Sequence, residues 1–235
     1  MTTTATCKTC GSAFEYEPAS LGKTTIAIRF APGMCSSCAE VEAQRDAAQR
    51  RQERFADRNL PRRYVDATFD GFTVGTPSQQ RALDVVRDHA ADGVYLMGRA
   101  GCGKTHLAAC AVADGPGGSL FVPVTELLDD IRAGFGGDGR GLYERALRAP
   151  LLALDDLGAE QVTDWVRDRL YNLLNARWNA CLSLIVTTNV PPKLIAERIG
   201  DGAASRIAGL CRHRIEVQGP DGRRVDREYG AQVAP

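Results

Sequence analysis

The chain has 235 residues, of which 29 are basic and 29 acidic, so its formal net charge is zero. That length suits one α/β domain with a small appendage. The balanced charge excludes a global field drawing the whole chain to nucleic acid or a membrane, and no apolar run approaches the roughly 18 residues of a spanning helix. The opening MTTTATCKTC lacks the regions of a secretion signal, so a soluble, cytoplasmic protein without membrane partners is expected, and eight cysteines do not imply a disulfide scaffold.

The first zone, residues 1–38, carries two pairs, Cys7-Lys-Thr-Cys10 and Cys35-Ser-Ser-Cys38, separated by 24 residues. Strand-like alternation lies between them at Ala13–Glu17 and Thr24–Phe30. Four thiolates in two such knuckles favour tetrahedral zinc, and so small a zone lacks the core to fold without metal. A closed four-cysteine site is structural, not catalytic. Residues 39–60 are rich in Ala, Gln, Arg and Glu, as in a solvated helix; seven arginines and three acids between Arg45 and Arg63 fit either that helix or a phosphate-tracking surface.

From Pro61 to residue 235 apolar strands alternate with amphipathic helices, which predicts a parallel sheet flanked by helices. The strands are expected at Val94–Met97, Leu120–Val124, Leu151–Asp155, Leu182–Thr187 and Ile215–Val217. Helices are expected near Lys104–Ala113, Glu126–Ala133, Asp164–Ala180 and Lys193–Ile199. Glycine-rich stretches at 115–118 and 134–141 read as loops. Cys102, Cys110, Cys181 and Cys211 read as free, mostly buried thiols. His89, His106 and His213 are isolated and carry no role beyond packing or capping.

Gly98-Arg99-Ala100-Gly101-Cys102-Gly103-Lys104-Thr105 fits the phosphate-binding pattern GxxxxGK[ST], directly after a strand and at the start of a helix. The glycines let backbone N–H groups surround phosphate oxygens, and the helix N-terminus adds partial positive charge. Lys104 is expected on the β- and γ-phosphates of ATP and Thr105 on Mg²⁺. The nucleotide-contacting run thus covers Gly98 to His106, with no chemistry given to the Cys102 side chain. Some fifty residues on, the strand Leu151–Leu154 ends in Asp155 and Asp156. Alone, that pair fits a helix cap equally well; beside a P-loop, Asp155 suits Mg²⁺ and Asp156 suits the attacking water. Asn189 closes the strand Leu184–Thr188, where it could reach the γ-phosphate or simply form a turn.

These segments resemble the AAA+ ATPases, and within them the DnaC/IstB group of helicase loaders and transposition helpers. The resemblance covers most of 60–217 and rests on LPRRYVDATFDGF, GRAGCGKTHLA, FVPVTELLDDIR, LLALDDLGAE, DWVRDRLYNLLNARW, IVTTN and SRIAGLCRHRIEV. It implies that Asp155 and Asp156 are the Walker B pair and Asn189 is sensor 1. It also implies that Arg206 is an arginine finger reaching a neighbouring subunit's nucleotide, with Arg198, Arg212 and Arg214 as rivals. Asp156 stands where many AAA+ proteins carry glutamate. The residues after Val217 are too few for a full helical lid. The implied function is an ATP-dependent loader delivering a replicative hexameric helicase to single-stranded DNA, as a homo-oligomer formed around nucleotide or DNA, with the zinc ribbon as docking module. The alternatives are an IstB-type transposition helper, a P-loop kinase of a small metabolite, and a zinc-ribbon adaptor with a vestigial ATPase. The TTN strand end and the Ser-Arg-Ile segment oppose the kinase, and intact Lys104, Thr105 and Asp155 oppose the vestigial form.

Overall fold

The computed structural model describes residues 3–16, 33–133, 141–158 and 163–222, without the side chains of 47–55 and 192. The expected strand Thr24–Phe30 and most of the 134–141 loop lie outside the described residues. The chain divides into two compact units, Met1–Glu53 and Arg54–Pro235.

In the first unit β1 (Thr3–Thr6) and β2 (Ala13–Tyr16) form an antiparallel hairpin, Thr6 opposite Ala13. The turn between them holds Cys7 and Cys10, and it is closed by Cys7 N–H donating to Ser12 O and Gly11 N–H to Cys7 O, both at 2.9 Å. Helix α1 (Ser36–Asp57) begins directly after Cys35 and carries Cys38 in its first turn. From Ala39 to Asp46 every side chain of α1 is exposed, the solvated face that its composition implies.

The second unit is built on a five-stranded parallel sheet in the order β4-β5-β6-β3-β7, comprising β3 (Val94–Met97), β4 (Leu120–Pro123), β5 (Leu151–Asp155), β6 (Ser183–Thr188) and β7 (His213–Glu216). The middle strands read as unbroken apolar runs because both faces are covered. On one face α2 (Pro77–His89) and α3 (Lys104–Asp114) enclose a core with Leu96, Leu107, Phe121 and Ile185. On the other, α4 (Val124–Arg132), α5 (Leu142–Arg148), α6 (Asp164–Asn179), α7 (Pro192–Ile199) and α8 (Asp201–Leu210) enclose a second core with Leu128, Leu154, Leu173 and Val186.

The order matters for chemistry, because β6 separates the P-loop strand β3 from β5. Gly98, just past β3, lies beside β6, its N–H donating to Thr188 O at 3.2 Å. Parallel pairing of β5 with β6 (Leu154 opposite Val186) and of β6 with β3 (Met97 opposite Thr188) brings all three C-terminal ends to one edge. Ligands bind at that edge of open α/β sheets.

Helices α2, α5 and α8 are not among the elements expected from sequence. The α2 signal was present as Thr76-Pro77: Thr76 Oγ1 accepts from Gln79 N–H at 3.2 Å, with proline at the first helical position. Helix α5 is seven residues long, too short for a periodic pattern, and its cap comes from another helix: Asp130 Oδ2 accepts from Tyr143 N–H at 2.8 Å. Strand β7 starts two residues before its expected position, since main-chain pairing of Val94 with His213 sets its start. Helix α3 is rich in alanine, which allows close approach to the sheet, and its last turn is fixed by Arg58. That guanidinium donates to Ala113 O (2.8 Å), Gly115 O (3.0 Å) and Val112 O. One connector arginine therefore caps the P-loop helix.

Arg177 of α6 is fully buried, donating through Nη1 to Ala146 O (2.8 Å) and Ala149 O (2.9 Å) and through Nη2 to Ser183 O. Burial pushes its pKa down to about 10, so it stays charged at neutral pH. It ties α5, α6 and β6 together by donating to carbonyls of the α5 end and of the first β6 residue. Arg177→Ala should therefore leave a cavity and orphaned acceptors, lowering stability by about 3–5 kcal/mol. A urea midpoint within experimental error of wild type would contradict this role.

Candidate nucleotide site and cysteine cluster

The loop from Gly98 to Gly103 turns the chain from β3 into α3. Gly103 precedes Lys104 with φ of 104°, where a side chain would be strained and would meet the Phe72 ring. Arg99 and Ala100 are exposed, whereas Cys102 and Lys104 are buried. The Lys104 ammonium donates to Gly98 O, Arg99 O and Asn189 Oδ1, each at 2.9 Å, and lies 3.7 Å from Cys102 Sγ. All three donor positions of the ammonium thus have oxygen partners.

Asn189 is the link to the acidic strand. Its Oδ1 accepts from Lys104 while its Nδ2 donates to Asp156 Oδ1 at 2.6 Å. The two partners together fix the amide orientation: an ammonium can only donate and a carboxylate accepts. Asp156 has φ of 61°, in the left-handed region that Asp enters more readily than most residues. Thr187 holds this turn, accepting from Asp156 N–H at 2.9 Å and donating to Asp155 Oδ1 at 2.6 Å. Thr187 is 1% exposed, so this bridge is shielded from water.

Burial raises the Asp155 pKa, and Asp156 adds to the rise; hydrogen bonds from Thr187 and Thr105 and the Lys104 charge oppose it. The Thr105 contact joins the helix α3 N-terminus to the end of β5, the pairing of hydroxyl and carboxylate that can hold a hydrated divalent cation. His106 packs between aromatic rings, 5.4 Å from the Phe72 centroid and 6.1 Å from that of Tyr64.

Two features were not read from sequence. One is Thr187, visible only as part of a polar TTN strand end. The other is the segment after β7, which lies against the P-loop: Thr76 Oγ1 donates to Gln218 O at 2.6 Å, Gly222 N–H donates to Gly101 O at 3.1 Å, and Asp221 packs on Gly101. A cleft of about 500 Å³ opens there, lined by Gly98, Arg99, Asn189, Pro191, Glu216 and Gln218 among others.

Arg206 does not join this group. It is half-buried on α8, its Nε donating to Asn175 Oδ1 of α6 at 2.9 Å, with its guanidinium about 6 Å from the rings of Tyr171 and Trp178. Of its rivals, Arg198 donates to Gly158 O, two residues past Asp156, and Arg214 donates to Ala208 O at 3.0 Å. Arg212 is exposed.

In the first unit Cys7, Cys10, Cys35 and Cys38 have their sulfur atoms within 4.8 Å of one another. The Cys10 to Cys35 separation is 3.8 Å, matching the roughly 3.8 Å edge of a tetrahedron with zinc–sulfur bonds of about 2.3 Å. Backbone N–H groups of Cys35 and Cys10 hold the Cys7 thiol down to about 6, and the Ser37 hydroxyl lowers Cys35. Cys38 is pushed up to about 12, first by Cys35 and then by Cys10. Four thiols so close cannot all ionise without a cation among them, so the donor set fits zinc. Of the other four cysteines, Cys102, Cys110 and Cys211 are buried and Cys181 is exposed.

Residues 40–214 match the family model of IstB-like ATP binding proteins. The chain belongs to this family. IstB-like proteins are AAA+ ATPases, and relatives of this member include the replicative helicase loader DnaI of Bacillus subtilis (strain 168), 28% identical over 167 residues. That match takes in 65% of this chain but only 53% of DnaI, so the chain spans about half the length of that relative. An insertion-sequence protein of Mycobacterium tuberculosis, described as ATP-binding, is 30% identical over 197 residues, covering 74% of this chain and 76% of that one. The crystal structure of the DnaC helicase loader superposes with a TM-score of 0.59 at 27% identity, over 67% of this chain and all of the DnaC chain. The fold of this IstB-like protein is thus the expected parallel sheet flanked by helices. Among its described residues no helix is long and apolar enough to cross a membrane.

Proposed function

We propose that this chain is a Mg²⁺-dependent ATPase that loads a replicative ring helicase onto single-stranded DNA in the cytoplasm. The observation that carries the ATPase reading is the Lys104–Asn189–Asp156 chain of hydrogen bonds beside the Thr105–Asp155 contact. The geometry supports a division of labour. The P-loop N–H groups and Lys104 would bind the phosphates of an arriving nucleotide, Lys104 exchanging Asn189 for phosphate oxygen, and Thr105 and Asp155 would hold Mg²⁺. Asn189 is then free to orient the γ-phosphate and Asp156 to orient and deprotonate water. Mg²⁺ would offset phosphate charge at that site.

The loader reading rests on the likeness to DnaI and DnaC and on a four-cysteine unit outside the ATPase unit, suited to docking. A transposition-helper role is the second reading, favoured by the 30% identity to the insertion-sequence protein. Size-exclusion chromatography of the purified chain with ATP, mixed in turn with the replicative helicase and with a transposase of the same source, separates the two. Co-elution with the helicase is expected; co-elution with the transposase alone would overturn the loader reading.

In this reading a neighbouring subunit would supply Arg206 to the site. Tyr171, Asn175 and Trp178 share one face of α6 at helical spacing, with Tyr171 37% and Trp178 43% exposed, and Arg206 sits on that face. An exposed aromatic stripe beside an arginine suits a subunit contact, from which Arg206 would reach the neighbour's γ-phosphate. Arg206→Ala should keep ATP affinity and lose turnover by about 1000-fold. Mixing it with Lys104→Ala chains should restore part of the activity, since a mixed interface joins an intact P-loop to an intact finger. A mixture as inactive as its components, under conditions where wild type assembles, would mean that Arg206 acts only within its own chain.

A further inference from the structure

We propose that His89, Asp92 and His213 form a second metal site, for a divalent transition ion of the zinc or nickel type, at the sheet end opposite the P-loop. His89 is the last residue of α2, Asp92 closes the turn that follows, and His213 opens β7. The imidazoles stack with centroids 4.8 Å apart and planes 24° apart. Both face one carboxylate oxygen: His89 Nδ1 lies 3.3 Å and His213 Nε2 3.8 Å from Asp92 Oδ2. The three candidate donor atoms lie within 4.8 Å of one another, and the group is open to solvent.

Two imidazoles and a carboxylate make a donor set for zinc, nickel, cobalt or copper, not for Mg²⁺ or Ca²⁺, which take oxygen. Three protein ligands leave further positions to water, unlike the closed cysteine cluster. Arg81, Arg212 and Arg214 line a cleft of about 380 Å³ together with His213, and Arg214 donates to Ala208 O. Against these cations Asp92 supplies a carboxylate facing both imidazoles, and the C-terminal end of α2 adds partial negative charge. A bound ion would join α2 to the edge strand β7, two elements otherwise held by packing around Val85, Val86 and Ile215.

The test uses the full chain, loaded with zinc at its cysteines, with Ni²⁺ as probe in equilibrium dialysis. One additional Ni²⁺ per chain is expected. Affinity should fall by at least about tenfold in His89→Ala, Asp92→Ala and His213→Ala, since loss of even an outer partner weakens metal sites that much. Ni²⁺ should raise the melting temperature of wild type but not of the variants, and retained ATP binding reports that each variant is folded. Co²⁺ in place of Ni²⁺ should show no thiolate charge-transfer absorption. Ni²⁺ uptake equal in wild type and variants, no uptake at all, or a thiolate signature from displaced zinc would each overturn the proposal.

Discussion

Lys104→Ala is expected to remove ATP binding, and Asp156→Asn to retain it while lowering turnover by about 100-fold or more, the usual contribution of a positioned base. The difference follows from where each side chain ends. Lys104 is 6% exposed and its ammonium holds three oxygen acceptors of the loop and of Asn189. Its removal takes away the one ammonium in the cradle and leaves those acceptors unpaired. Among the described residues the Asp156 side chain hydrogen-bonds only Asn189, and its backbone is held separately by Thr187. An Asn there keeps shape and loses the charge that accepts a proton. Fluorescent-nucleotide titration and phosphate release read the two effects separately. Wild-type turnover in Asp156→Asn would remove that carboxylate from the reaction.

Stripping metal from the cysteine cluster is expected to unfold the N-terminal hairpin and leave the ATPase unit intact. The described core of the first unit contains only Cys7 and Cys35 as buried apolar residues, and the aromatic pair Phe14 and Tyr16 is half-buried at 6.3 Å. So small a core cannot offset the entropy of ordering the chain, whereas structural zinc contributes on the order of 10–16 kcal/mol. Elemental analysis should find one tightly held, sulfur-ligated zinc per chain. Hydrogen exchange after chelation should show β1 and β2 amides losing protection while β3 to β6 keep theirs. Unchanged protection in the hairpin would mean that the four cysteines are not a metal-dependent fold.

The legible part of this molecule was where chemistry demands particular residue types. Gly98 to Thr105, Asp155, Asp156 and the two cysteine pairs stood out because a phosphate cradle and a zinc site tolerate few substitutes, and the structure brings the members of each set together. What escaped were residues whose role is set by distant partners. Arg58 reads as one more connector arginine, yet it caps α3 from some fifty residues away; Arg177 reads as a polar position on α6, yet it is fully buried on three carbonyls. Helix α8, with its Gly-Ala-Ala-Ser start, has few large apolar residues to mark a period, and it is held by packing on α6. The turn from Gln218 to Gly222 could not be anticipated because nothing local to it signals contact with Gly101.

Retention of a ring helicase on covalently closed, single-stranded DNA circles tests the loader account most directly, since a closed ring must be opened to enclose a closed circle. With the wild-type chain and ATP, bead-bound circles washed at high salt should retain several-fold more helicase than without the chain. Lys104→Ala should give no gain. Equal retention with and without the chain, or equal gain with Lys104→Ala, would contradict an ATP-driven loader.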